Sequence, residues 1–188
     1  MIGFDRVCFS YGQKEVFRDL TLHVGAGERV AIRGESGCGK TTLLRLVMGL
    51  EKPADGAVTV RASRISALFQ ENRLLPYLSV ARNCELFAAD AASVRPMLRA
   101  LGLSDAADAL PSALSGGMAR RAALARALCR DAELYLFDEP FSGLDRDSAA
   151  RAAELVCRVT EDRTVLMVTH RAGEADALRC RYEDMADL

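Results

Sequence analysis

The sequence predicts an α/β fold with an inserted helical lobe, and three observations carry that expectation. The apolar run "RVAI" passes through the glycine-rich "GESGCGKTT", Gly34 to Thr42, into "LLRLVMGL", whose apolar residues have helical spacing. From about Ser79 to Arg130 alanine, leucine and arginine recur at helical spacing, the pattern of a separate helical block. Beyond it, "AELYLFDEP" and "TVLMVTH" read as strands on either side of the helical "RDSAARAAELVCRV", the β-α-β order of a parallel sheet.

In chain order, residues 2–33 form short apolar or alternating runs broken by "YGQKE" and "GAGE". That pattern predicts three strands joined by tight turns. The glycine-rich bend and its helix follow, with Gly49 as the stop. "EKPADGAVTV" supplies a turn and a further strand, and "ISALFQ" a buried strand ending at Gln70. The helical stretches "SVARNCELFAA", "SVRPMLRALGL" and "SGGMARRAALARALCR" each open on a serine able to cap them. The expected organisation is one domain over residues 1–188, with about 1–78 and 131–188 forming the core and about 79–130 the helical lobe.

Composition narrows the partners. With 25 basic and 26 acidic residues interspersed, no long-range field recruits nucleic acid or an anionic membrane. The first residues lack a basic stretch followed by an apolar core. No run reaches the roughly 18 apolar residues of a membrane span, so the chain is expected neither to be secreted nor to cross a membrane. Six scattered cysteines without a C-x-x-C pair or a histidine cluster indicate neither zinc nor a disulfide framework, and fit a reducing cytoplasm.

The bend matches G-x-x-x-x-G-K-[ST]. In that pattern backbone N–H groups close around phosphate oxygens, the lysine reaches the terminal phosphates and the hydroxyl contacts Mg²⁺. The helix N-terminus adds partial positive charge at the same place. Gly34, Glu35, Ser36, Gly37, Cys38, Gly39, Lys40, Thr41 and Thr42 are therefore the candidate nucleotide-binding residues, against the plain alternative of a turn that needs glycine. "LYLFDEP" delivers Asp138 and Glu139 at the carboxyl end of a strand, where ligands of open parallel sheets sit. Asp138 is placed to hold Mg²⁺ through a water and Glu139 to orient or deprotonate the attacking water; a helix cap is the alternative. "LSGGM", Leu114, Ser115, Gly116, Gly117 and Met118, opens an arginine-rich helix and makes a second anion site, or simply a capped helix start. Two such helix starts with one lysine suggest that the second serves the nucleotide of a neighbouring copy.

"GESGCGKTT", Gln70, "LSGGM", "LYLFDEP", "SGLD" and the histidine after "TVLMVT" occur in the order and spacing of the ATPase subunits of ATP-binding-cassette (ABC) transporters, which nearly the whole chain resembles. The resemblance implies a P-loop NTPase core with a mixed sheet, an antiparallel β edge and an inserted α-helical subdomain. It also implies ATP and Mg²⁺ as cofactors, and a dimer in which the signature element of one subunit closes over ATP held by the other. Met118 stands where glutamine is usual. Position by position, Tyr11 would stack on adenine, though it is also a strand-end aromatic. Gln70 would touch Mg²⁺ or the attacking water; its alternative is an ordinary polar loop residue. Asp145 would cross the dimer interface or cap a helix, and His170 would contact the γ-phosphate. His23 has no such support and is read as structural, and Arg171 follows His170 where relatives often carry acid.

The stretch "FQENRLLPYLSVARN", Phe69 to Asn83, resembles ATPases of nitrate, alkanesulfonate and taurine importers, in which it lies where a permease helix docks. The resemblance thus implies transmembrane permease subunits, a second ATPase subunit as homodimer partner, and an extracytoplasmic solute-binding protein acting through the permease. It implies no nucleic acid, and a place on the cytoplasmic face of the membrane. After the histidine helix, "LRCRYEDMADL" leaves room for one short strand where relatives add two strands and further helices; no regulatory domain and a less stable edge are expected. Two other classes compete. A soluble cassette ATPase of DNA repair or translation would carry coiled-coil insertions, tandem cassettes or basic extensions, and a P-loop kinase would leave "LSGGM" and "SGLD" unexplained.

Overall fold

The computed structural model describes residues 1–188 apart from the side chain of Ala172. Its strands are β1 (Ile2–Tyr11), β2 (Lys14–Val24), β3 (Arg29–Arg33), β4 (Asp55–Val60), β5 (Ile65–Leu68), β6 (Leu134–Asp138), β7 (Thr164–Thr169) and β8 (Arg181–Asp184). Its helices are α1 (Lys40–Val47), α2 (Val80–Glu85), α3 (Val94–Ala100), α4 (Gly116–Cys129), α5 (Arg146–Val159) and α6 (Ala172–Ala177). The parallel and antiparallel strands expected of a mixed sheet lie in two separate sheets, β2-β1-β4 antiparallel and β5-β6-β7-β3-β8 parallel.

Patterning explains the division. On β1, Ile2, Phe4, Val7 and Phe9 are buried among exposed or half-buried neighbours, as one covered face requires. β6 and β7 are buried at every position because both faces of the parallel sheet are covered. Side chains of β6 alternate between two cores. Leu134 and Leu136 join β1, β2 and α1, whereas Tyr135 and Phe137 join α2 to α5. The site residues at the carboxyl end of β6 therefore sit where the two cores meet.

α2 and α3 pack against α4 to form the helical lobe. The serine caps hold at two of three helices: Ser79 accepts from Arg82 N and Ser115 from Met118 N. At the third, Ser93 is itself helical and caps nothing, because Asp90 opens a preceding 3-10 turn by accepting from Ala92 N. β5 stops at Leu68, so Gln70 lies in the following loop and not at the strand end. β8 pairs parallel to β3 at the sheet edge, and Met185 beyond it packs against the core containing β1 and α1. Among the described residues no helix is long and apolar enough to cross a membrane.

Candidate functional site

The phosphate loop links β3 to α1. Gly37 and Gly39 have φ of 82° and 106°, the left-handed region that glycine adopts without strain. Gly39 has a second reason: a Cβ there would sit 2.7 Å from Phe17 and from Val16 on β2, so the loop lies flat against that strand. Lys40, 7% exposed, turns back into the loop and donates to Gly34 O at 2.6 Å and Glu35 O at 2.7 Å. Its third contact is the Cys38 sulfur at 3.9 Å, a weak acceptor that a phosphate oxygen outcompetes. The loop, Tyr11, Lys14, Gln70, Asp138 and Glu139 line one cavity of about 180 Å³.

Across it, Thr41 Oγ1 donates to Asp138 Oδ2 at 2.8 Å. Burial pushes the Asp138 carboxyl above its usual range, and the Thr41 hydrogen bond opposes that rise. A buried carboxylate beside a hydroxyl and the Gln70 loop is a donor set of hard oxygens, fitting Mg²⁺. Among the described residues no three His, Cys, Asp or Glu side chains cluster as metal ligands.

Glu139 has φ of 48°, outside the usual range for a non-glycine residue. Its N–H donates to Val168 O at 2.9 Å and its Oε1 lies 2.9 Å from His170 Nδ1, so β7 fixes the backbone and the residue just after β7 the carboxylate. His170 lines the neighbouring groove with Gly34, Glu35 and Cys38, not the cavity of Lys40, and meets it through Glu139. Tyr11 stands edge-on to Phe9 at the mouth and reaches Glu51 with its hydroxyl at 3.4 Å. Sequence reasoning named Glu139 and His170 separately. It missed that they form a pair.

The second candidate anion site stands apart. Ser115 and Gly116 are exposed at the start of α4, and no residue of α4 lines the phosphate-loop cavity. Gly117 lies against the "SGLD" loop, where an added Cβ would be 3.4 Å from Gly143 O. Asp145 in that loop caps α5, accepting from Ser148 N at 2.9 Å, and is exposed, so capping and an interface role are compatible.

Asn83 explains the shape of the "LLPYLS" segment. Fully buried, it accepts from Leu75 N and donates to the carbonyls of Leu75, Leu78 and Ser79. The loop so closed presents Leu75 and Tyr77, the latter 91% exposed. Sequence reasoning also missed Arg120, which is 3% exposed and donates to carbonyls on both sides of the site. The signal was present. Arg120 shares its helical face with Leu124 and Leu128, where an arginine must find buried partners.

Cys38 offers a direct probe of the loop. A bulky maleimide at its half-buried thiol is expected to block ATP binding, and saturating MgATP to protect it, while Cys84 and Cys129 are buried and stay unlabelled. Peptide mass spectrometry reads the result; equal Cys38 labelling with and without nucleotide would contradict this placement of the phosphates.

The family model described as ABC transporter matches residues 17–142. The aliphatic sulfonates import ATP-binding protein SsuB of Delftia acidovorans is 46% identical over 192 residues, covering 98% of this chain and 78% of that protein. SsuB 1 of Paracoccus denitrificans is 42% identical over 193 residues, covering 99% and 79%. Among solved structures, the dimeric MJ0796, a bacterial ABC transporter cassette, superposes with a TM-score of 0.86 at 26% identity, covering 98% of this chain and 95% of that one. A post-hydrolysis MJ0796 dimer bound to ADP and Pi gives a TM-score of 0.80 at 27% identity, covering 94% and 91%.

Proposed function

The chain belongs to the ABC transporter family as an ATP-hydrolysing subunit, and from that premise we propose that it binds MgATP between two copies of itself and powers a separate permease that imports organosulfonates. The observation that carries the two-copy arrangement is the separation of Lys40 from Ser115. The chain has a phosphate loop with its lysine, and a second exposed helix start outside that cavity, so the second is free to complete a partner's site.

In each composite site the residues have distinct tasks. Gly34 to Thr42 wrap the phosphates with backbone N–H groups, and Lys40 neutralises charge on the β- and γ-phosphates. Tyr11 covers the adenine. Thr41, Asp138 and Gln70 would hold Mg²⁺, partly through water, and the ion when bound neutralises phosphate oxygens. Glu139 orients and deprotonates the attacking water, with its carboxylate aimed by His170 from the neighbouring groove. Leu114 to Met118 of the partner close over the same γ-phosphate, and Asp145 meets the facing subunit beside them.

The protein would work on the cytoplasmic face of the membrane, docked to the permease through the Leu75–Tyr77 loop, with an extracytoplasmic solute-binding protein supplying cargo. The cargo class rests on the SsuB relatives, and the cargo does not touch this chain. Co-expression with a sulfonate-importer permease is expected to yield a membrane complex that retains the chain through detergent purification. Tyr77→Asp is expected to abolish that retention while ATP binding stays within about threefold, since each tenfold in affinity needs about 1.4 kcal/mol of lost contact. A chain that never associates with the permease would refute the transport role and favour a soluble cassette ATPase.

A further inference from the structure

Arg120 makes a set of contacts that the motifs do not assign. Its Nε donates to Pro140 O at 3.3 Å, and its Nη1 to Phe69 O at 2.6 Å, Gln70 O at 3.2 Å and Asn72 Oδ1 at 3.4 Å. Its Nη2 donates to Asp138 O and, at 2.6 Å, to Glu139 O. A single guanidinium on α4 thus holds the loop bearing Gln70 and three consecutive carbonyls at the end of β6. No lysine could do this, because only the planar fork reaches acceptors on two sides at once. The partners are mainly backbone oxygens, so the contact fixes main-chain geometry and not a side-chain rotamer.

That geometry is strained where it matters. Glu139, at φ of 48°, persists only if its surroundings over-determine it. Its carbonyl accepts from Arg120 Nη2 and from Ser142 N, and its N–H is held by Val168 O. A second arginine of the same helix extends the tie: Arg126 donates to Arg73 O at 2.5 Å and Asn72 O at 2.9 Å, so the Gln70 loop is fastened to α4 along its length. Ser115, at the other end of this tie, is the N-cap of α4.

We propose that Arg120 is a positioning residue that sets the Glu139 backbone and the Gln70 loop for water attack, and that it couples them to the helix start which completes the partner's site. Movement of α4 when Ser115 meets a partner's phosphate is thereby passed to the catalytic carboxylate of its own chain. The proposal rests on the catalytic role of Glu139 proposed above. Arg120 meets Asp138 and Gln70 only at their backbone carbonyls and leaves the side chains that would hold Mg²⁺ free, so its loss separates turnover from binding.

The test uses the full chain and the variants Arg120→Lys, Arg121→Lys and Glu139→Gln. Arg121 is the control, since it donates to Leu101 O at 2.6 Å and Gly102 O at 3.2 Å within the helical lobe. For Arg120→Lys, kcat is expected to fall by at least about tenfold while KM and the nucleotide Kd, read with a fluorescent ATP analogue, stay within about threefold. Arg121→Lys is expected to leave kcat and Kd within about threefold. Arg120→Lys with a smaller loss of kcat, with Kd rising in step, or matched by Arg121→Lys would overturn the positioning role while leaving the catalytic reading intact. Retained turnover in Glu139→Gln would instead overturn both.

Discussion

Lys40→Ala is expected to lower ATP turnover below about one-hundredth and to weaken nucleotide binding by at least about tenfold, a loss of roughly 3 kcal/mol or more at the transition state. The argument starts from position. Lys40 is held inside the phosphate loop by Gly34 O and Glu35 O, so its ammonium is pre-placed and pays little ordering cost when phosphate arrives. Burial also spares it the screening that weakens surface charges; the other lysine lining the cavity, Lys14, is exposed. Alanine leaves the loop's N–H groups but removes the charge, so binding weakens and chemistry, which builds charge on the γ-phosphate, suffers more. The fold is expected to hold, because α1 is anchored by Leu43, Leu44, Leu46 and Val47 in the core. Phosphate release and a fluorescent-nucleotide titration measure the two effects; turnover above about a tenth of the original would contradict the assignment.

Much of this site was legible because its parts are local. A phosphate loop needs glycine, lysine and threonine at fixed spacing, and a strand ending in two carboxylates announces itself by its apolar run. The order of "GESGCGKTT", Gln70, "LSGGM" and "LYLFDEP" then suggested, through the family resemblance, how two distant candidate anion sites are related. What remained hidden depends on side chains meeting across elements. His170 and Glu139 are 31 residues apart and pair only because β6 and β7 are neighbours. Arg120 lies on a helix read only as arginine-rich. Its spacing with Leu124 and Leu128 marks it as inward-facing, but the carbonyls it meets belong to the end of β6 and the Gln70 loop and are set by the tertiary fold, whereas Arg121 faces the lobe. The cap at Ser93 was misread because Asp90 offered the backbone an earlier partner, and local competition of this sort leaves no periodic trace.

Glu139→Gln separates binding from chemistry. Glutamine keeps the length of the side chain and an oxygen able to accept from His170 Nδ1, so the 2.9 Å contact and the local backbone are expected to survive. It cannot take a proton, so hydrolysis is expected to fall by about 10²–10⁴-fold, the range for loss of a general base. Lys40 still holds phosphate and Asp138 still meets Thr41, so ATP binding should be unchanged. Unhydrolysed ATP then sits between the phosphate loop of one copy and Ser115 of the other. The variant is therefore expected to dimerise in saturating MgATP and to return to monomer in MgADP, which offers no γ-phosphate to Ser115. Size-exclusion chromatography with light scattering reads the mass, and phosphate release reads the chemistry. Retained hydrolysis would remove Glu139 from the catalytic role. A dead enzyme that stays monomeric in MgATP, with nucleotide bound, would keep Glu139 as the base and shift the force that closes the dimer from the shared γ-phosphate to the permease.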